Sequence, residues 1–508
     1  MRADIPGRPR LGPGIVALGT GARRLLVDRA TRPWMLGLLA TSFLGTILAV
    51  DQASGGPILA RKWSLLVLLA GWAAVWLVAL TCVSRLPPQR AVVALVLVAG
   101  MAIRVASLAG PPTLSDDLYR YSWDAQAQLH GVDPYRYPPD ARALVGLRGP
   151  WLWPDAAGCA ALHRPPGCTR INRPPVRTIY PPVAEAWFTT VYAIGGGMAS
   201  RHKLWQVGGL LTETATMALL ALLLARRGRD PRWVAVYALC PLPAVELVNN
   251  GHVDGLGVAL LLGALLVLAR PPGPRAHQPR PGWHAWVAGA LVGGSALVKL
   301  YPAAMIVPVI AAPGMSRRDQ ARALAAAAAV VVIGYTPHVL AVGVKVLGYL
   351  PGYLKEEHYT GAATRYLLLD RLRLPPKGTE ALIAVIVIAT GAWILRRRPD
   401  PAVGSATLMG VLLLCATPVQ PWYGMTLLAL AAAAARPGWG WVVLAGYPYF
   451  FAVILAAMHV VGIGEISFAG GALLAAASGA ARRWPRSPPD SAPPDVASKT
   501  ARPAGGPR

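Results

Sequence analysis

The sequence predicts an all-α polytopic membrane protein, and three observations predict it. Of 508 residues, 55% are hydrophobic and only 14% charged, with a mean hydropathy of +0.45. Apolar runs of about 17–23 residues recur almost throughout, the length of helix that crosses a bilayer. The arginines stand in short clusters between those runs. A length of 508 residues has room for several soluble domains, but the recurring runs exclude that organisation. A net charge of +26 by itself suits a nucleic-acid partner. Distributed between apolar runs, it reads instead as the Lys/Arg bias of inner loops, and no nucleic-acid partner is expected.

Residues 1–33 are basic and rich in Pro and Gly. They hold no short apolar core followed by a small-residue cleavage site, so they read as a cytoplasmic segment and not a cleavable leader. Candidate spans follow at 34–50, 63–82, 90–110, 204–225, 232–248, 253–269, 283–298, 301–313, 321–343, 380–395, 403–417, 422–435, 439–461 and 464–481. The bundle therefore has about 14 spans (range 12–15) within 34–483. The 283–313 pair reads as a tight hairpin, and the 403–435 pair has a polar turn in its middle. Residues 484–508 are a Pro/Ser/Ala-rich tail, expected to be disordered and cytoplasmic.

Arg23, Arg24, Arg29 and Arg32 place the N-terminus inside. Three spans then put 111–200 outside as a large first external loop with short helices. If 183–199 does not cross the membrane, five basic clusters fall inside: Arg226 to Arg229, Arg270 to Arg280, Arg317 to Arg322, Arg396 to Arg398, and Arg482-Arg483. Both termini are then cytoplasmic. The external loops, with 344–379 as the second long one, collect nearly every unusual polar residue, so a site is expected at the outer face. Heavy use of Ala, Arg, Gly and Pro points to a GC-rich bacterial genome, hence a bacterial plasma membrane.

The richest polar stretch is Ser115-Asp116-Asp117-Leu118-Tyr119-Arg120-Tyr121-Ser122-Trp123-Asp124. Ionised groups are costly beside hydrocarbon, so three carboxylates just after a long apolar run need a reason. Ser115 is the expected N-cap, with acids in the first turn. Asp116, Arg120 and Asp124 share a helix face, and Asp117 and Tyr121 lie about 100° round. A salt-bridge ladder accounts for this spacing; so does a carboxylate general base with its neighbours orienting it.

Other pieces lie on the same side. Asp133-Pro134-Tyr135-Arg136-Tyr137 and Thr178-Ile179-Tyr180-Pro181-Pro182 are stiff aromatic loops, fit for interfacial packing or for a sugar-binding wall. Asn249-Asn250-Gly251-His252-Val253-Asp254 turns sharply between two runs. His252 and Asp254 are its titratable groups, and no tight His/Asp/Glu set stands out as a metal site. Lys299 must pair, line a cavity or snorkel. Lys355-Glu356-Glu357-His358-Tyr359 reads as a solvated charge run, and Arg365 beside it is a second candidate for an anionic ligand. Pro418-Val419-Gln420-Pro421-Trp422-Tyr423 closes the set. Cys82, Cys240 and Cys415 lie in apolar runs as packing residues. Cys159 and Cys168, nine apart in the external loop, are expected to form a disulfide near the entrance.

Taken together, these residues resemble a bacterial GT-C glycosyltransferase, most closely the actinobacterial enzymes that use polyprenyl-phosphate mannose. Ser115 to Tyr121 with Trp123-Asp124 carry the resemblance first, then Asp133 to Tyr137, Ile171-Asn172-Arg173-Pro174 and Thr178 to Pro182. Asn250 to Asp254, Lys299-Leu300-Tyr301-Pro302 and Pro421-Trp422-Tyr423 follow in order, so it runs from about 90 to 436. It implies a multi-span GT-C-like bundle. An acid in the first external loop would deprotonate the acceptor hydroxyl, and the donor would be a lipid-linked sugar reached from the outer leaflet. Many such enzymes invert and need no metal. The resemblance favours Asp116 as base, with Asp117 close behind.

The expected reaction is transfer of a sugar, mannose first, from polyprenyl phosphate to a glycan or glycolipid acceptor. Phosphate leaves readily, so the site needs a cation near it and a base near the acceptor. Arg120, Lys299 or Arg365 suit the first role. Asp124, Tyr180, His252, Asp254, Gln420, Trp422 and Tyr423 are further binding candidates. No cofactor is expected, the lipid-linked sugar being a substrate. A transporter or flippase of lipid-linked sugars is the rival class, and a surface-polysaccharide polymerase or ligase a third. A transporter should carry paired charges along a mid-membrane path; here the clearest charges gather at one face.

Overall fold

The computed structural model describes residues 21, 23–195, 202–271, 282–359, 365–454 and 462–480. Among them all regular structure is helical. Most of the N-terminal segment, the tail 484–508, and Arg275, Arg280, Arg482 and Arg483 lie outside the described residues.

Helices α1 (Arg32–Ser54), α2 (Lys62–Arg85) and α3 (Arg90–Ala106) come first, α1 packing on both of the others. Then α4 (Asp117–Leu129) packs on α5 (Pro182–Gly195), and α6 (His202–Arg226) returns to the bundle. After short turns and a wide π-type segment at Ala244–Asn249 comes α7 (Asp254–Leu268). The remaining long elements are α8 (Trp283–Ala296), α9 (Arg317–Val342), α10 (Pro376–Arg397), α11 (Pro401–Ala416), α12 (Gly424–Ala433), α13 (Trp439–Ile454) and α14 (Ile463–Ala480).

Local chemistry sets several of these ends. Ser316 and Asp319 form a capping box at the start of α9, the Ser316 hydroxyl accepting from the Asp319 N–H at 3.1 Å. Asp400 caps α11 by accepting from the Ala402 and Val403 N–H groups at 3.0 and 3.3 Å, with Pro401 at the first helical position. Side chains such as Phe43 and Ile47 on α1, Val332 and Ile333 on α9, and Val385 and Ile388 on α10 are exposed. Apolar helix faces of this kind are stable against lipid, not water.

Among the described residues five helical units are long and apolar enough to cross a bilayer: α1, α2, α6, Arg317–Glu356 and α10. A sixth arises if Pro241–Asn249 and α7, bent by 119° at their junction, count as one broken span. Helices of spanning length thus do not make up the expected count of about 14. The expected 232–248 run is broken by Pro241 and Pro243 into short pieces, and 301–313 into Tyr301–Met305 and Ile306–Ile310. Helix α5, with 14 residues, rises only about 21 Å, short of a span.

Among the described residues, α3 and α6 are joined by a buried ion pair. Arg104 on α3 donates to Glu213 on α6 at 2.7 Å, and both side chains are fully buried. Tyr237 also donates to Glu213 at 2.6 Å, and Arg104 to the Ala238 carbonyl at 2.7 Å. Paired and hydrogen-bonded, the charges are tolerable at this depth.

Candidate active site

The break before α7 positions the acidic stretch. Gly251 has φ +67°, a left-handed conformation that turns the chain back within a few residues. The turn leaves Asn249 and Asn250 facing residues 107–114. Asn250 Oδ1 accepts from the Thr113 and Leu114 N–H groups at 3.1 and 3.0 Å. Asn249 accepts from Thr113 at 3.2 Å and donates to the Ser107 and Pro111 carbonyls, each at 3.1 Å. Gln206 on α6 donates to Gly110 and Asn249 carbonyls at 3.0 and 2.7 Å. These bonds satisfy buried irregular backbone at the membrane boundary. They deliver the start of α4 directly over His252.

Helix α4 begins one residue later than the sequence implies. Asp116, not Ser115, occupies the cap position, and the Ser115 hydroxyl accepts from the Asp117 N–H at 3.2 Å. The expected ladder also divides. Arg120 and Asp124 form a buried pair in which Arg120 Nε donates to both carboxylate oxygens, at 2.8 and 2.9 Å. Asp116 turns away to Arg164 at 3.2 Å, its side chain 45% exposed. Burial pushes its carboxyl above the usual range, and Arg164 works against that.

Asp117 is more enclosed, at 16% exposure. Asn172 donates to its Oδ1 at 2.6 Å and the Tyr180 hydroxyl to its Oδ2 at 3.2 Å. Burial, then the Asp117 charge, pushes the Tyr180 phenol well above its ordinary value, so it remains a donor. His252 Nδ1 lies 3.6 Å from Asp117 Oδ2. The imidazole is buried and stacks on Trp422 with ring centroids 4.2 Å apart. Its Nε2 lies 3.5 Å from Glu246, which accepts from Tyr447 at 2.7 Å and from Asn250 at 3.2 Å.

Lys299 stands against the rings of Tyr180 and Tyr423. Its ammonium is 3.7 Å from Asp254 and lies 4.9 Å and 5.6 Å from the ring centroids of Tyr180 and Tyr423. Tyr301 donates to Asp254 at 3.4 Å. Gln420 donates to Glu357 at 2.6 Å, and Tyr353 bridges toward Tyr423 at 3.0 Å.

These groups surround one cavity of about 920 Å³. Asp116, Asp117, Arg120, Tyr180, Lys299, Gln420, Trp422 and Tyr423 all line it. Asp124, His252 and Asp254 stand behind the wall, each touching a lining residue. Arg365 is also set back. It is buried over the Tyr359 ring at 4.3 Å and donates to the Thr417 carbonyl at 3.0 Å. The expected solvated run 355–359 instead contributes to the site: Glu357 and Tyr359 line the cavity, and Glu356 pairs with Arg173 at 2.5 Å. One side of the cavity is apolar, with Leu350, Leu354, Met409, Leu412 and Leu413.

Glu246, Asn172 and Tyr353 were not legible as site residues. Asn172 lies in a loop that carries part of the resemblance but was given no role, and Glu246 is an acid whose partners come from 201 residues away and from Asn250. Cys159 and Cys168 are joined, with Cα atoms 5.8 Å apart. Among the described residues no group of three or more His, Cys, Asp or Glu side chains is arranged to hold a metal ion.

No curated protein and no solved structure matches the chain. Residues 179–418, a little under half of the chain, match the model of Glycosyltransferase family 87. With the apolar helices, that match supports a multi-pass membrane glycosyltransferase, and it covers Tyr180, His252, Asp254 and Lys299 while leaving Asp116 and Asp117 before its start.

Proposed function

We propose that the protein transfers a sugar, mannose in first place, from a polyprenyl-phosphate donor to a glycan or glycolipid acceptor at the external face. The observation that carries this reading is the division of one cavity into three parts. It has a carboxylate on one wall, an ammonium on another and an apolar strip beside them. A lipid-linked sugar needs all three. The strip of Leu350, Leu354, Met409, Leu412 and Leu413 suits the first isoprene units. Lys299 suits the phosphate.

In the reaction, a carboxylate takes the proton from the acceptor hydroxyl as that oxygen attacks the anomeric carbon. The bond from that carbon to the phosphate oxygen breaks, its electron pair leaving with polyprenyl phosphate. Attack from the opposite side inverts the anomeric centre. Lys299 stabilises the charge that gathers on the leaving phosphate. The geometry favours Asp117 over Asp116 as the base, because Asn172 and Tyr180 fix its oxygens while Asp116 is spread toward Arg164 at the rim.

The test uses purified full-length protein in lipid nanodiscs with labelled polyprenyl-phosphate mannose and a mixed mannoglycan acceptor. Label should appear in the glycan. Label that only crosses a vesicle bilayer, with no glycosidic bond formed, would replace this reading with a flippase.

A further inference from the structure

Among the described residues three carboxylates line the large cavity: Asp116, Asp117 and Glu357. The first two are engaged. Asp116 pairs with Arg164, and Asp117 accepts from Asn172 and Tyr180. Glu357 differs. Among the described residues it makes no ion pair, and its side chain accepts one hydrogen bond, from the neutral amide of Gln420 to Oε1 at 2.6 Å. A carboxylate offers about four acceptor positions, so most of the capacity of Glu357 is uncommitted.

A hydrogen-bond chain fixes where that carboxylate stands. Gln420 is buried, and its amide nitrogen goes to Glu357 while its oxygen accepts from Tyr353 at 3.5 Å. The Tyr353 and Tyr423 hydroxyls meet at 3.0 Å. Lys299 lies over the rings of both Tyr180 and Tyr423. From that cation two branches lead away. The Tyr180 hydroxyl reaches Asp117; the Tyr423 hydroxyl leads through Tyr353 and Gln420 to Glu357. Trp422 belongs to the second branch. It gives one ring face to His252, with centroids 4.2 Å apart, and also lines the cavity. A carboxylate in this position repels a phosphate and any acidic sugar. Beside an isoprenoid it finds no hydrogen-bond donor. Neutral hydroxyl groups do match it. A sugar ring presents them in adjacent pairs, as two carboxylate oxygens require, and its C–H face suits an indole.

We infer, resting on the transfer reaction proposed above, that Glu357 recognises hydroxyl groups of the donor's sugar and that this sugar is a neutral one. With the phosphate at Lys299 and the acceptor hydroxyl at Asp117, the sugar ring extends along the other branch, toward Gln420 and Glu357. Glu357 then selects the donor, and Asp117 remains the base.

Polyprenyl-phosphate mannose and its monodeoxy analogues, each offered to the full-length protein in nanodiscs, read this contact. In wild type at least one deoxy donor should fall about 10²-fold or more in kcat/KM, because a site built to bond a hydroxyl rejects the analogue that lacks it. Glu357→Ala should lower the parent donor by a similar factor, yet lower that deoxy donor by less than about three-fold, since the contact is already gone. Continued transfer of the deoxy donor also shows that the variant is folded. Glu357→Gln, which keeps one acceptor oxygen, should fall between wild type and Glu357→Ala. With the parent sugar transferred by wild type, an equal loss across all donors in Glu357→Ala would put Glu357 in the chemistry or at the acceptor and overturn the inference. Unchanged kcat/KM for every donor would overturn it as well. Wild-type protein that transfers no donor at all would sink the transferase reading, and this inference with it.

Discussion

His252 Nδ1 lies 3.6 Å from Asp117 Oδ2, on the side of the carboxylate away from the cavity. The imidazole is held there by its stack on Trp422 and faces Glu246 with its other nitrogen at 3.5 Å. A carboxylate that gains a proton in the reaction therefore has a second titratable group directly behind it. In the reaction proposed above His252 would act as a positioning residue for Asp117, and its place distinguishes the two neighbouring acids. Asp116 pairs instead with Arg164, itself exposed.

The acids should behave differently. Asp117→Asn is expected to lower kcat by about 10²–10⁴-fold, the range for a general base. Asp116→Asn should lower it less than about ten-fold. Initial rates of label transfer in nanodiscs check this, and the opposite ranking would return the base to Asp116.

His252→Phe keeps an aromatic stack on Trp422 and removes both ring nitrogens. We expect kcat to fall about ten-fold, at or below the low end for a direct proton acceptor, with the donor KM little changed. The pH profile of kcat should lose one ionisation. A variant with wild-type kcat and an unaltered profile would show that the ring only packs.

Lys299→Met should lower kcat/KM for the lipid-linked donor by about 10²-fold, as expected when one group that stabilises developing charge is lost. The loss should sit mostly in kcat. Equal transfer by the variant would mean the phosphate lies elsewhere in the cavity.

Arg104→Met leaves Glu213 buried without its cation, and should cost about 3–5 kcal/mol. The companion R104M/E213L should recover part of that loss. Thermal unfolding in detergent, read by intrinsic tryptophan emission, compares the two. A double variant no more stable than the single one would argue against the pair as the cause.

Glu185, on α5 and buried, provides a pH test. Burial first, then the Asp124 charge, raises its carboxyl well above the ordinary glutamate range; Thr178 donates to it at 2.6 Å. The folded state then holds the proton more tightly than the unfolded chain. Stability is favoured below the ordinary glutamate value and falls as pH rises from there toward the raised native value. Glu185→Gln should flatten that decline. Unfolding temperatures measured across about pH 5 to 8 read it, and an undiminished slope would assign the dependence to another group.

Much of this site was legible because its residues are out of place in their sequence neighbourhoods. Asp116, Asp117, Lys299 and Trp422 stand at the ends of apolar runs, where charge and polar aromatics call for explanation. Their convergence followed from assigning the loops to one face. What the sequence did not show is which group each residue would choose as partner. Arg120 had two carboxylates in register and took Asp124; Asp116 took Arg164 from 48 residues on. Arg104 and Glu213 are both visible as charges within apolar runs, yet only packing of α3 on α6 makes them a pair. Hydropathy likewise measures apolar length and not backbone continuity. It therefore read 232–248 as a span where Pro241 and Pro243 divide the helix, and 301–313 as one where the helical piece, Tyr301–Ile310, is too short.

The bonds from Asn249 and Asn250 to residues 107–114 also impose an order on how the protein matures. The acids are synthesised early, but Asn250, which seats the backbone just before them, follows Thr113 by 137 residues. Trp422, which holds His252, comes later still. A ribosome must thus deliver most of the polypeptide before the pocket can close. A nascent or truncated chain ending before Asn249 would display Asp116 and Asp117 on an unanchored loop, with neither their backing histidine nor a wall opposite them.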